Sequence, residues 1–472
     1  MGWKYMRDSA FISSVIVLSS LVSFVFLSPA YSSGNVVTLT QTDTSSNPAI
    51  GHTANIHQSG SQLDFDAIQT GYSDTINSYQ FGNRHEIVVD QSGESNASRN
   101  DQVGGILNKS TISQTGNRNL VVTQQGRRAT SLGAAQVTGD TNHISVTQVG
   151  NDNAASATQN GTSSRNNRTV IQQQGNSSDA IINQNNAALS DATIRQSLGS
   201  NNLAAITQQG SSNSGGGIAQ RGSDNQHSIL QLGNEHTAEI DITGGSNFRG
   251  ASSITPQAIT QLGQLHNSQI NVSGNVNASE SYQQGTRNFS VQTITGNQNT
   301  GIAYQLGVRN VLNGTLSGQH NSFKSIQVGS DNEVVAVISG TQNTVATLQI
   351  GDQNSLDLNI QGSSNQFSVD QDGNNLSLVQ DVTGNDNIVE LLQRGDVSTA
   401  NISVNGNSNR AVLTQDSAGG TTNIASISQT GSNNLSEMIQ VGGGNNLASI
   451  SQNGNRNQAM VSTDGSDNDI TI

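Results

Sequence analysis

The sequence predicts an all-β chain: a parallel β-solenoid of 22-residue coils, two strands per coil, with two facing parallel sheets. Three regularities predict it. Glycine recurs every 11 residues at fourteen consecutive places: Gly263, Gly274, Gly285, Gly296, Gly307, Gly318, Gly329, Gly340, Gly351, Gly362, Gly373, Gly384, Gly395 and Gly406. Two positions before them, Gln261, Gln283, Gln305, Gln327, Gln349, Gln371 and Gln393 alternate without a miss with Val272, Ile294, Leu316, Ile338, Ile360, Val382 and Val404, so the unit has two unlike halves. Three positions after the glycines stand Asn277, Asn288, Asn299, Asn310, Asn321, Asn332, Asn343, Asn354, Asn365, Asn387 and Asn409, with His266, Leu376 and Ser398 in the remaining places.

Between glycines the residues alternate. Asn354, Leu356, Leu358 and Ile360 share one parity, and Ser355, Asp357 and Asn359 the other, which is the period of a strand with one buried face. Helix is excluded, since a glycine in every third turn and many Asn, Ser and β-branched positions would weaken it throughout. The glycine and its polar neighbours suit a tight turn at positive φ. The three prolines, Pro29, Pro48 and Pro256, avoid the regular strands, as they must where every N–H is used.

Strand, turn, strand and turn close one flattened coil, and inward places fall two before and three, five and seven after each glycine. Glutamine is then expected to stack on glutamine and asparagine on asparagine, their amides forming ladders that satisfy the buried polar groups. The alternation at the place two before glycine makes one wall amide-lined and the other aliphatic.

The same phase appears earlier at Gly60, Gly71, Gly82, Gly93 and Gly104, with Gln58, Gln69, Gln80, Gln91 and Gln102 two places before them. Between 105 and 245 the spacing slips to 10, 12 or 14 at several joints, read as turns that gained or lost residues. The predicted organisation is a signal peptide at 1–32, a strand-like segment at 33–57, repeats with irregular turns at 58–246, an interruption at 247–258 and regular repeats at 259–472, with a smaller break at 416–422. Repeat-like sequence continues to "GSDNDITI" at the last residues, so the stack is expected to present an open edge that templates another copy.

Composition agrees. Only 32% of the 472 residues are hydrophobic and 3% aromatic, too few for conventional cores, and the repeat is what rescues order from a disordered-like polar composition. A net charge of −14 disfavours nucleic acid and anionic membrane surfaces. The chain has no cysteine, which excludes disulfide scaffolds and thiolate metal sites. Lys4 and Arg7 precede the apolar run "FISSVIVLSSLVSFVFL", the layout of a secretory signal cleaved after Ala30 or Ser32, with a signal anchor as the alternative. No later segment is apolar enough to span a membrane.

Motifs of catalysis are missing: no nucleophile elbow, phosphate loop, zincin helix or zinc spacing occurs. The histidines at 52, 57, 85, 143, 227, 236, 266 and 320 are scattered, which points to solvated or turn roles, His236 and His266 standing in for asparagine. "GSDN" at 222–225 and "TDGSDND" at 463–469 lack the nonapeptide pattern of calcium-binding solenoids. Polysaccharide-cleaving β-helices need acids and bases clustered on one outer face, and here they drift. No enzyme, cofactor or metal is expected.

Gln, Gly and Asn in this phase, on a 22-residue period behind a signal-like segment, resemble the curlin repeat of curli, the extracellular amyloid fibres of bacterial biofilms. The resemblance implies an amyloid-like β-solenoid, secretion through an outer-membrane pore, assembly onto a nucleator and roles in adhesion and matrix, with further copies of the chain as the main partner. The chain departs in its length, roughly twenty repeats on the solenoid period, and in the aliphatic residues that replace glutamine in alternate halves. The alternative is a soluble, non-polymerising β-solenoid adhesin or an ice- or sugar-binding protein.

Overall fold

The computed structural model describes residues 13–18, 24–27, 34–44, 51–126, 139–161, 164–249, 259–417 and 421–472. The chain divides into two compact units, Met1–His236 and Thr237–Ile472, so the interruption expected at 247–258 falls inside the second. Each unit is a β-solenoid with two sheets; the units contain about 18 coils of about 22 residues. No helix occurs among the described residues. Pro29, Pro48 and Pro256, with Lys4, Arg7, Ala30 and Ser32, lie outside them.

In the second unit the register is that of the repeat. Strand Ser322–Ser330 pairs in parallel with Thr344–Ile350, placing Gln327 beside Gln349. Strand Val311–Gln319 pairs with Glu333–Thr341, placing Leu316 beside Ile338. Successive strands along the chain thus fall in opposite sheets, and each pairs with the strand one coil away. Burial alternates strictly: Val334, Ala336 and Ile338 are buried, while Glu333 and Val337 are exposed. Side chains are matched in size between the walls, since a Cβ on Gly314 would lie 3.1 Å from the ring of Phe323.

In the first unit the coils are less even. Gln58 and Gln80 are 22 residues apart, Gln148 and Gln173 are 25 apart, and Gln114 and Gln148 are 34 apart. The last step is larger than slips of 10, 12 or 14 suggest. Residues 127–138, which fall within this step, lie outside the described ones. Smaller excesses become bulges at the corners, as between Gln173 and Gly175 and between Gln184 and Ala187. Within the apolar 11–27 run, Ser13–Leu18 pairs with Val36–Asp43 and Phe24–Leu27 with Thr53–Ser61.

The corner answers why glycine recurs. Gly329 has φ +121° and a Cβ there would sit 2.0 Å from the carbonyl oxygen of Gly351 in the next coil. Coils approach too closely at this point for any side chain. Two residues later the backbone again takes positive φ, without glycine: Asp331, Gln342, Gln353 and Ser364 lie at 59°, 60°, 60° and 58°. Asp and Asn tolerate this left-handed conformation, but Val276 and Val397 at 57° and 58° carry the strain of a β-branched residue there. The backbone ladder runs unbroken through the corner, with Asp331 N–H on Val308 O at 2.8 Å and Glu333 N–H on Asn354 O at 2.9 Å.

Not every buried polar group is satisfied, contrary to expectation. Gln380 is 1% exposed, and neither amide atom has a hydrogen-bond partner. The reason is positional: Gln380 stands beside Leu358 and Ile402, so no amide lies above or below it. Gln380→Leu is expected to stabilise the chain by about 1–3 kcal/mol, the cost of an orphaned buried amide, read as slower amide exchange in Ser377–Thr383 and its neighbours.

Candidate functional site: the amide columns and the coil joint

Each strand turns its residue two before glycine into the core, where parallel register places it over its counterpart one coil away. In the second unit Nε2 of Gln327 donates to Oε1 of Gln349 at 3.0 Å, Gln349 to Gln371 at 2.9 Å and Gln371 to Gln393 at 2.7 Å. Upstream, Gln261 donates to Gln283, Gln283 to Gln305 and Gln305 to Gln327. The second Nε2 hydrogen reaches across the core: Gln327 donates to Val311 O at 2.9 Å and Gln349 to Glu333 O at 3.1 Å. Each glutamine therefore ties one coil to the next and one sheet to the other. All are buried, where an unmade bond would be costly.

Facing this column is the aliphatic one. Val272, Ile294, Leu316, Ile338, Ile360, Val382 and Val404 occupy the equivalent place in the opposite sheet, each 5% exposed or less. In the first unit both walls carry glutamine. One column includes Gln58, Gln80 and Gln102, and the other Gln41, Gln69 and Gln91. Column members beyond these include Gln148, Gln159, Gln173, Gln208 and Gln440. A search for Gln-x-Gly without fixed spacing finds these. Gln125, Gln184 and Gln196 also join the columns but lack that signal, because the adjoining corner changed length.

The asparagines stack coil on coil, with direct amide bonds such as Asn343 to Asn321 and Asn387 to Asn365, and they also bond the neighbouring backbone. Nδ2 of Asn332 donates to Gly351 O at 2.7 Å, and its Oδ1 accepts the backbone N–H of Asn354 at 2.9 Å. Asn277, Asn288, Asn299, Asn310, Asn321, Asn343, Asn354, Asn365, Asn387 and Asn409 likewise donate to a glycine carbonyl of the next coil. Direct amide contacts such as Asn365 to Asn343 at 3.0 Å are additional. The asparagine side chain is short and sits at the corner, so the exposed polar groups of the turn are its nearest partners. Leu376 receives this support from Asn354 at 3.0 Å but has no side-chain oxygen to pass it on.

Several histidines correct the solvated reading. His52, His85, His227, His236 and His266 are all buried. His85, His236 and His266 occupy the asparagine place at corners. His227 points into the core, and burial pushes its pKa down to about 3. His52 lies 3.5 Å from the buried carboxylate of Asp74, whose pKa burial pushes up to about 6. Charged residues on the corners bridge coils, as in Arg309–Asp331 and Arg118–Asp152, both at 2.6 Å.

The joint has a direction. The bonds between column glutamines run from Nε2 to the glutamine on the C-terminal side, and Oδ1 of corner asparagines such as Asn332 accepts from that side, so one face of a coil is complementary to the opposite face of its neighbour and not to itself. Residues 443–472 match the family model of the curlin associated repeat. No curated protein matches the chain.

Proposed function

Residues 443–472 carry the curlin associated repeat, and from that premise we propose that the chain is a curlin-repeat protein, an extracellular structural protein whose copies stack head to tail into curli-like amyloid fibres, serving adhesion and biofilm matrix. The observation that supports this reading is the repeating joint. The bonds that join Gln327 to Gln349 recur between Gln349 and Gln371, so a coil of a second copy meets the donors and acceptors that a coil of the same chain meets. A directional, non-self-complementary interface whose operation does not close generates filaments rather than closed oligomers. Backbone bonding alone is comparable to the cost of association; the amide columns and the aliphatic wall tip the balance toward growth.

The family further suggests export behind the signal segment, an outer-membrane pore and a nucleator as partners. The reading includes no catalysis and no cofactor, the chain's chemistry being that of the joint. The test is assembly of the processed chain from a denaturant-free monomer. A lag followed by thioflavin-positive fibres with a cross-β diffraction pattern is expected; a lasting monomer under the same conditions overturns the fibre reading in favour of a soluble solenoid.

A further inference from the structure

We propose that His85 and His266 are acid-sensitive joints of the stack: imidazoles that stand in for asparagine only while uncharged, so that mild acid loosens the coils at these two places and spares the asparagine joints.

The substitution is atom for atom. At an ordinary corner Asn332 accepts Asn354 N–H on Oδ1 and donates Nδ2–H to the carbonyls of Val328, at 3.3 Å, and Gly351. At His266, Nδ1 accepts the N–H of Asn288 at 3.2 Å, and Nε2 lies 3.1 Å from Leu262 O, with the Gly285 carbonyl also beside the ring. His85 repeats the pattern: Asn108 N–H donates to Nδ1 at 3.3 Å, and Nε2 lies 3.3 Å from Phe81 O, with the Gly104 carbonyl also beside the ring. A backbone N–H can only donate, so Nδ1 is bare and the proton sits on Nε2. This tautomer reproduces both hydrogen-bonding functions of the asparagine amide.

The likeness ends when the ring takes a proton. Protonation places an N–H on Nδ1, facing the N–H of the next coil, and puts a charge into a site 1% exposed. An amide does not titrate in this range, so the asparagine joints have no counterpart to this event. Burial holds both rings below the ordinary histidine value. With the folded pKa lowered and the open-state value near 6.5, the joint has its full strength above that pH and weakens as pH falls below it. Asp140 is the charged group that faces His85, and it favours protonation. His266 faces the backbone of Leu262, Gly285 and Asn288.

Amide exchange of the full chain, followed by mass spectrometry at pH 7.5 and 5.0 and corrected for intrinsic rates, tests this. Opening across Ile259–Gln264 and Ala278–Thr286 is expected to rise by up to about thirtyfold in acid, the limit for one group of pKa near 6.5 that protonates only when open. Opening between Ser322–Ser330 and Thr344–Ile350 should not change. His266→Asn should abolish the local rise. An unchanged joint in the native chain, an equal rise at every joint, or the same rise in the variant overturns the proposal. Should the variant fail to fold, imidazole nitrogen shifts of the native chain decide: a proton on Nδ1 at pH 7.5 overturns it as well. None of these readouts depends on fibre formation.

Discussion

Alanine at Gly340 is expected to part the stack at one corner. Its Cβ would lie 1.8 Å from the carbonyl oxygen of Gly362, at a residue with φ +120°. Both atoms belong to backbone, so no rotamer relieves the contact and the coils themselves must separate. Separation strains the bonds around that corner, including Asn343 Nδ2 to Gly362 O at 2.8 Å and Ser364 N–H to Thr341 O at 2.9 Å. The left-handed backbone adds about 1–2 kcal/mol for any residue with a Cβ, and two or three weakened bonds add about 1 kcal/mol each. A total of about 3 kcal/mol or more is expected, read as at least a hundredfold faster amide exchange in strands Glu333–Thr341 and Ser355–Ser363. Gly465→Ala is the control. It has φ +101° and nothing within 4 Å of the added atom, so it reports the backbone term alone. Equal effects at the two positions would mean that close approach of the coils contributes nothing.

The second large effect concerns the glutamine column, and its sign of non-additivity is the informative part. Gln349→Leu removes the acceptor of Gln327 at 3.0 Å and the donor to Gln371 at 2.9 Å, orphaning two buried amides at once. About 2–4 kcal/mol is expected from these two lost partners. Replacing Gln327, Gln349 and Gln371 together with leucine orphans only the two amides that border the gap, Gln305 and Gln393. The triple change should therefore cost much less than three single ones. It converts the wall locally to what the opposite wall already is at Ile338 and Ile360. On the proposed function, the single change should also lengthen the assembly lag more than replacing half-buried Ser330 and exposed Asp352 and Asp372 together. Equal lags would remove the column from the growth mechanism.

Where the period is strict, much could be read directly. The alternation of Gln327, Ile338 and Gln349 predicts two unlike walls, and the structure puts Gln327 and Gln349 in one sheet and Ile338 in the other. A period of 2 within the strand and 22 between coils leaves one register that buries the apolar set. Where the corners changed length the reading weakened, as at Gln184 and Gln196, because the glycine that marks the phase is displaced or missing while the strand keeps its place. Buried His227 and Gln380 were illegible for another reason. Burial at those places follows from parity, but whether a partner exists depends on the residues one coil above and below.

By itself the sequence determined the period, the strand parity, the two walls and the need for glycine at the corner, all of them consequences of local stereochemistry repeated at a fixed interval. Only the tertiary structure decided that asparagine binds the neighbouring backbone as well as its own kind, that a second left-handed residue follows the glycine at corners such as Gly329 and Gly340, and which nitrogen of His85 and His266 is bare. Those facts depend on which donor and acceptor come within about 3 Å across a joint, between residues some 22 positions apart, a distance fixed only when one coil settles on the next.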